Sequence, residues 1–336
     1  MRGLFLALTN RNLHLVWLQV AVNRKIGHKD PMSPPRIIVA ICTYKRNEPL
    51  RTLLEALVDV AKATGERAKV GVVVVDDNPD QRAESVVADF EQAFELGIRY
   101  RASGKANISI ARNLAVNTAL EDADLVAMVD DDCEPAADWL NAYLDVLEAT
   151  GADCATGAMN LRVPEGSPKW MTEQPFFDDI RFDFEDRAPM TLAATNNSII
   201  RAQFLREHPD IRFDPRYGKL GGEDMVFYRT AHAAGLKIRF AKRAGVWGNE
   251  PADRATFKHL VMYRFWLGNS MFVTNRHFGD SNARLFLRGG KTSALAMLRP
   301  ISRLLRGDRP QWRYGLASFA TGIGQMAGAA GFRKEH

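Results

Sequence analysis

The chain has 336 residues, 46% of them apolar and 25% charged, with a net charge of +5 and three cysteines. That length supplies a large core, in one big domain or two moderate ones, and the balance is that of a water-soluble globular protein. Cys42, Cys133 and Cys154 show no CxxC or Cys/His ligand spacing, which argues against a disulfide framework or a structural zinc site and fits a reducing cytosol.

Residues 1–35 hold apolar runs broken by Arg11, Asn12 and His14, without the continuous apolar core and cleavage site of a signal peptide. They are expected to form a peripheral arm, with Met32 an alternative start. The apolar run Ile37 to Cys42 reads as a strand covered on both faces, as in a parallel sheet. Pro49 suits the first turn of a helix, and Leu50, Leu53, Leu54, Leu57 and Ala61 recur along one face of it. VGVVVVDDNPD gives a second buried strand that stops in acids at Asp76 and Asp77. Asp80 to Phe94 reads as a helix, and IRYRAS as a short strand. NISIARNLAVNTAL predicts another helix, and DLVAMV a strand ending before Asp130. This alternation predicts an α/β, Rossmann-like, mostly parallel sheet flanked by helices, with right-handed crossovers.

Ligands of such sheets bind outside the carboxyl ends of the strands. Three strand ends carry polar clusters, at Thr43–Arg46, Asp76–Asn78 and Asp130–Asp132, and they should converge on one sheet edge. The run VDDDCEP poses a physical problem, since adjacent carboxylates repel one another and raise one another's proton affinity. Either the three splay into solvent, as strand-ending acids often do, or a divalent cation sits among them. Asp130 and Asp132, one residue apart in a tight turn, can reach one such ion, and hard oxygens suit Mg2+ or Mn2+. Cys133 beside them reads as a small space-filler rather than a nucleophile, because no histidine lies near it in sequence.

After Leu161 a stretch rich in Pro, Gly, acids and aromatics, without periodicity, reads as a long functional loop. In LGGED, Gly221 and Gly222 give backbone freedom just before Glu223 and Asp224, which open a helix. Acids there either cap the helix or do chemistry. A break falls near residue 280. Between Ser281 and Arg313 there are eight Lys/Arg against one acid, Asp308, which reads either as a surface for anionic lipid or as a solvated basic helix. SALAMLRPISRLLRG, interrupted by Pro300, could lie on a membrane, and the uncharged Tyr314–Phe332 is too poor in large apolar residues to span one but suits an interface. No aromatic-basic motif points to nucleic acid.

Taken together, ICTYKR, VVVVDDN, NISIARN, VDDDCEP and GGEDMVF resemble, in order and spacing, the family 2 glycosyltransferases of the GT-A fold. NISIARN with GGED is similar to bacterial exopolysaccharide enzymes of the succinoglycan glucosyltransferase group. The resemblance runs from Arg36 to Ser270. It implies a GT-A domain over residues 36–280, with a nucleotide-binding half (36–135) and an acceptor half (136–280), followed by a basic helical extension (281–336). It implies that Thr43 and Asp77 hold the nucleotide base, with Tyr44 and Arg46 beside them. Asp130 and Asp132 would be the metal-binding DxD pair, and Asp131 would line the donor. Arg112 would orient Asp131, meet the donor phosphates or form a structural ion pair. Asn196, Asn197 and Gly222 would line the donor pocket. Asp224 would be the catalytic base, with Glu223 beside it contacting the acceptor or supporting the geometry.

The implied reaction is a metal-dependent, inverting transfer of one sugar from a nucleotide-sugar, a UDP-hexose, to a glycan or lipid-linked oligosaccharide. Its place would be the cytoplasm, peripheral on the inner membrane. The pattern departs from the family where many members supply a histidine to the metal; Trp247 or Glu250 stands in that region, so water would complete the shell. The QxxRW motif and membrane spans of processive synthases are missing, which implies single additions. A sugar-1-phosphate nucleotidyltransferase would need an early GxGxRL loop where CTYKRNEP stands, and a haloacid-dehalogenase-type phosphatase a DxDxT/V after its first strand. A non-catalytic sugar-nucleotide scaffold would have no use for both the DxD acids and Asp224.

Overall fold

The computed structural model describes residues 33–177 and 184–333; the expected N-terminal arm, up to its last few residues, lies outside them. Four parallel strands form one side of an eight-stranded sheet: β1 (Arg36–Thr43), β2 (Lys69–Asp76), β3 (Ile98–Ala102) and β4 (Leu125–Val129). The sheet continues through β9 (Asn197–Arg201), β6 (Cys154–Thr156), β10 (Ile238–Phe240) and β8 (Pro189–Met190), in the order β3-β2-β1-β4-β9-β6-β10-β8. Of these, β9 runs antiparallel to both its neighbours and β8 antiparallel to β10. A smaller sheet orders β5 (Cys133–Pro135), β11 (Val246–Asn249) and β7 (Met159–Arg162).

The apolar runs of β1 and β2 are continuous because both faces are covered. Ile37, Val39 and Ile41 face the side packed by Leu50, Leu53 and Leu57 of α1 (Asn47–Thr64) and by Trp139 and Tyr143 of α4 (Trp139–Thr150). Ile38 and Ala40 face the other side, with Ala111 and Ala115 of α3 (Ile108–Leu120), Leu205 of α6 (Ala202–Glu207) and Phe227 of α7 (Glu223–Ala233). Strand alternation thus splits one apolar run between two cores.

The helix expected over Asp80–Phe94 shrinks to α2 (Glu84–Ala88). The buried Asp76 carboxylate accepts from the N–H of Asn78 and of Ala83, which holds the entry segment in a turn. Beyond α2, three-residue turns replace helical bonds as the chain sinks both Phe90 and Phe94 into the core before β3.

The long segment after Leu161 contains α5 (Trp170–Glu173), and Met171 and Phe176 pack with Leu260 and Tyr314 of the C-terminal helices. Those helices are α8 (Phe257–His277), α9 (Asn282–Leu305) and α10 (Trp312–Ala329). Pro300 does not interrupt α9; it is buried, and a Cβ at Gly315 of α10 would lie 2.6 Å from its ring. The small residues of Tyr314–Phe332 serve helix packing. A Cβ at Gly322 would run into Ser293 and the Gly289 carbonyl, and one at Gly324 into the Phe265 carbonyl, so α10 sits backbone-close to both α8 and α9. Among the described residues, no helix is long and apolar enough to cross a membrane.

Candidate active site

Because β2, β1 and β4 are parallel neighbours, their carboxyl ends open on one edge, where the polar clusters meet. The Asp77 N–H donates to the Thr43 carbonyl at 2.9 Å. The Thr43 hydroxyl, buried, donates to Asp131 Oδ2 at 2.7 Å. Lys45 takes a left-handed φ of 58°, and just past this turn the Arg46 guanidinium lies 3.0 Å from Asp131 and 2.6 Å from Asp132. Tyr44 stands exposed at the rim with the Lys45 ammonium 5.0 Å from its ring centre. The two adjacent acids of β2's end divide their work. Asp76 holds the backbone and the Tyr100 hydroxyl, whereas Asp77 accepts from the Ser103 hydroxyl and the Lys105 N–H.

The second half of the site is built on α3. Asn107 caps that helix by accepting from the Ile110 N–H and reaches the Pro215 carbonyl with its amide. Asn113 exchanges two bonds with the Phe213 backbone, at 2.7 and 2.9 Å. The segment that leads to GGED, irregular up to a 3-10 turn at Pro215–Tyr217, is therefore clamped to the helix that carries Arg112. From there Arg112 donates to Glu223 Oε1 and, at 3.2 Å, to Asp130 Oδ1. Its partners are thus Asp130 and Glu223, not Asp131.

Glu223 and Asp224 open α7 because the glycines before them permit two things. Both have left-handed φ, 77° at Gly221 and 87° at Gly222. Both also lie against α8, where a Cβ would strike Trp266 at Gly221 and Thr274 at Gly222. Any side chain there would push the acidic pair out of place.

The electrostatics follow from this crowding. Burial raises the Asp224 carboxyl to about 6, the Glu223 charge adds to the rise, and Arg112 opposes it. Burial likewise raises Asp131 to about 6, against Arg46 and the Thr43 hydrogen bond. Asp132 is raised by burial and by Asp130, with Arg46 opposing. Burial works against the Arg112 charge, but Glu223, Asp130 and Asp224 more than offset it and hold the guanidinium protonated. The Cys133 thiol, buried and beside the three aspartates, is pushed far up, which makes it a space-filler and not a nucleophile.

Thr43, Arg46, Asp131 and Asp132 therefore form one cluster of contacts and Arg112, Asp130 and Glu223 a second, joined through the adjacent Asp130 and Asp131, with Asp224 next to Glu223 in the chain and Asp77 tied in through the backbone. Asn197 does not belong. It is fully buried, its amide oxygen accepts from Trp139 and Tyr143, and its amide nitrogen donates to the Ala158 and Ala244 carbonyls. All of its polar capacity is spent inside the core, so it stitches layers together and offers nothing to a sugar. Asn196 is half-buried with its amide on the Met159 sulfur. The positioning pair Asn107 and Asn113 was not singled out in the sequence, although both stand inside the NISIARN motif; asparagine flanking a helix motif is the one available signal.

Two carboxylates, Asp130 and Asp132, remain 40% and 36% exposed at the strand end. Among the described residues no group of three His, Cys, Asp or Glu side chains is arranged around a metal. The pair still fits a hard divalent ion that keeps waters and takes phosphate oxygens, since a cationic group, Arg46, already sits on Asp132. Glu250, just past β11, lies in the same field: burial raises its carboxyl, Arg254 opposes this, and Asp132 adds to the rise. Trp247 instead faces the Arg162 guanidinium, 5.6 Å from its ring centre.

Residues 38–208 match the model of the family described as Glycosyl transferase family 2. Over 243 residues the chain is 30% identical to succinoglycan biosynthesis protein ExoM of Rhizobium meliloti, a match that covers 71% of this chain and 75% of that protein. It is 24% identical over 271 residues to glucosyl-dolichyl phosphate glucuronosyltransferase of Haloferax volcanii, covering 74% and 82% of the two. Among solved structures, S. aureus TarS 1–349 in complex with UDP-GlcNAc superposes with a TM-score of 0.51 at 16% identity, over 86% of this chain and 92% of that one. GalNAc-T7 with UDP, GalNAc and Mn2+ gives 0.51 at 15% identity, over 73% and 52%.

Proposed function

Because this chain belongs to glycosyl transferase family 2 and has the GT-A fold, we propose that it is a metal-dependent, inverting enzyme that adds one hexose from a UDP-sugar to a glycan hydroxyl. The acceptor is proposed to be a lipid-linked oligosaccharide of bacterial surface polysaccharide synthesis, met at the cytoplasmic face of the inner membrane. One observation carries this reading: Arg112 joins Asp130 of the strand-end acids to Glu223 of the GGED loop, so the donor and acceptor machinery share one guanidinium.

In this reading Asp224 accepts the proton of the acceptor hydroxyl as that oxygen attacks the anomeric carbon. The bond to the diphosphate breaks on the opposite face, and its electron pair leaves with the diphosphate. Mg2+ or Mn2+ held by Asp130 and Asp132 would neutralise charge on that leaving group. Thr43 and Asp77 contact the base side of the donor, Asp131 its ribose or sugar, and Arg46 turns from Asp132 to the phosphates. Glu223, held by Arg112, keeps Asp224 in place and keeps its proton affinity high. The TarS and GalNAc-T7 structures, alike in fold, contain UDP, which is the ground for testing uridine nucleotides first.

The test is sugar release or transfer from a panel of nucleotide-sugars, with Mn2+ or Mg2+ and with a chelator. Turnover with a UDP-hexose that stops on chelation is expected. Turnover indifferent to the chelator would overturn the metal assignment, and turnover of no nucleotide-sugar the function itself.

A further inference from the structure

The extension beyond Asp280 has a use that the sugar-transfer residues do not need. Helix α9 buries Leu285, Gly289, Ser293, Ala296 and Pro300 against α10. Its opposite side is apolar as well. Leu287, Leu298, Ile301 and Leu305 fall within about 60° of one another on a helix of 3.6 residues per turn, with Leu304 at the stripe's flank. They are exposed, Leu287 by 72% and Leu305 by 83%. A helix covered on one side only would place charges there, because uncovered apolar stripes invite association.

Beside this stripe runs a row of one sign: Arg284, Arg288, Lys291, Arg299 and Arg306. No Asp or Glu occurs within α9. Asp280 pairs with Arg284 and Arg288 at the helix start, and Asp308 approaches Arg303 past its end. No ion pair to Lys291 or Arg306 is found among the described residues, and the Arg299 guanidinium lies 5.5 Å from the centre of the Tyr314 ring. The row bears on what covers the stripe. A second copy docked antiparallel about a two-fold axis would set basic row against basic row, which repels. A layer of acyl chains under anionic headgroups meets both features at once. Trp312, 47% exposed where α10 begins, adds an interfacial side chain.

We propose that α9 is a docking helix that lies in the plane of an anionic lipid surface, with the Leu287–Leu305 stripe among acyl chains and the Arg284–Arg306 row at the phosphates. One consequence rests on the sugar-transfer reading. Helix α8 packs against α10 and also against Gly221 and Gly222, so the docked layer and the loop before Asp224 share a helix, which suits an acceptor carried by lipid.

The experiment is flotation of the full chain with vesicles of phosphatidylcholine alone or mixed with phosphatidylglycerol, without any sugar donor. Binding to the mixed vesicles should exceed binding to the neutral ones by ~10-fold or more and weaken as salt is raised. Leu298→Glu with Leu305→Glu should abolish binding without moving the thermal midpoint, since both side chains are exposed. Lys291→Glu or Arg306→Glu should each weaken it on the order of 5-fold or more. Donor hydrolysis in solution should be the same in all of these, so failure of docking and failure of sugar transfer show in different assays. Absence of binding to anionic vesicles overturns the proposal, as does binding that the leucine changes leave intact. A dimer that Leu298→Glu converts to monomer also overturns it, by assigning the stripe to a second copy.

Discussion

Asp224 is held in a place that suits a base and not a stable fold. Its carboxyl, raised to about 6 by burial and by Glu223, binds a proton more tightly folded than unfolded. Such a group lends stability below the ordinary carboxylate range, and that stability is lost as pH rises through about 6. Asp224→Asn is therefore expected to raise the stability of the ligand-free chain at pH 7.5 by on the order of 1–2 kcal/mol, with the gain vanishing below pH 4. The same change should cut kcat by ~10²–10⁴-fold while nucleotide affinity stays the same. Unfolding curves at the two pH values, beside nucleotide titration, check both; wild-type turnover would remove Asp224 from its role. In the wild type, kcat/KM should fall below about pH 6, as the base takes up its proton.

Arg112 tests the neighbouring link. Arg112→Met leaves Glu223 buried beside Asp224 without a counter-charge, and a loss of about 2–4 kcal/mol is expected in urea unfolding. Arg112→Lys keeps a charge but not the two-pronged reach to Asp130 and Glu223, so stability should largely return and kcat should not.

At the scale of elements, α10 shows how composition and role come apart. Read alone, its Gly- and Ala-rich sequence suggests a helix at an interface. Against α8 and α9 the same residues allow a backbone-to-backbone approach that larger side chains forbid. Gly324→Val would drive a branched side chain into the Phe265 carbonyl, and a loss of about 1–3 kcal/mol is expected from its thermal unfolding. Since α8 also backs Gly221 and Gly222, the variant should lose activity in parallel; full activity at reduced stability would show that α10 and the GGED loop are uncoupled. The shortened α2 carries a related lesson. Periodicity suggested a helix through Phe94, but the Asp76 carboxylate fixed its start and two buried phenylalanines ended it early.

For the whole molecule, the site is a meeting of parts remote in sequence: Thr43 from β1, Asp77 after β2, Asp130 after β4, and Glu223 on α7. A ligand that bridges such parts stabilises the assembled state by mass action. UDP with Mn2+ at ~100 times its dissociation constant should add about 2.7 kcal/mol. That corresponds to a rise of roughly 4 °C in Tm for a chain of this size. Either component alone should give less, because in the proposed mechanism Asp130 and Asp132 hold the cation together with the diphosphate. Equal shifts from UDP with and without Mn2+ would separate the nucleotide site from the acids.

The parallel sheet, the strand-end acids and the GGED helix start were readable in the sequence, because each rests on local pattern: apolar runs covered on both faces, carboxylates at their ends, and glycines before a helix. What a side chain does in three dimensions was not readable where its partners come from far along the chain. Asn196 and Asn197 look alike in sequence, yet the core takes all four bonding positions of the second. Arg112 could have met any nearby acid, and only the clamp from Asn107 and Asn113 to Phe213 and Pro215 aims it at Glu223. The sequence by itself determined the alternation of elements and the stock of charges at their ends, since backbone propensity and burial pattern act over a few residues. The tertiary structure alone decided which charges touch, which amides are consumed and which face of α9 stays uncovered, since those depend on packing between different elements, separated by 111 residues in the case of Arg112 and Glu223.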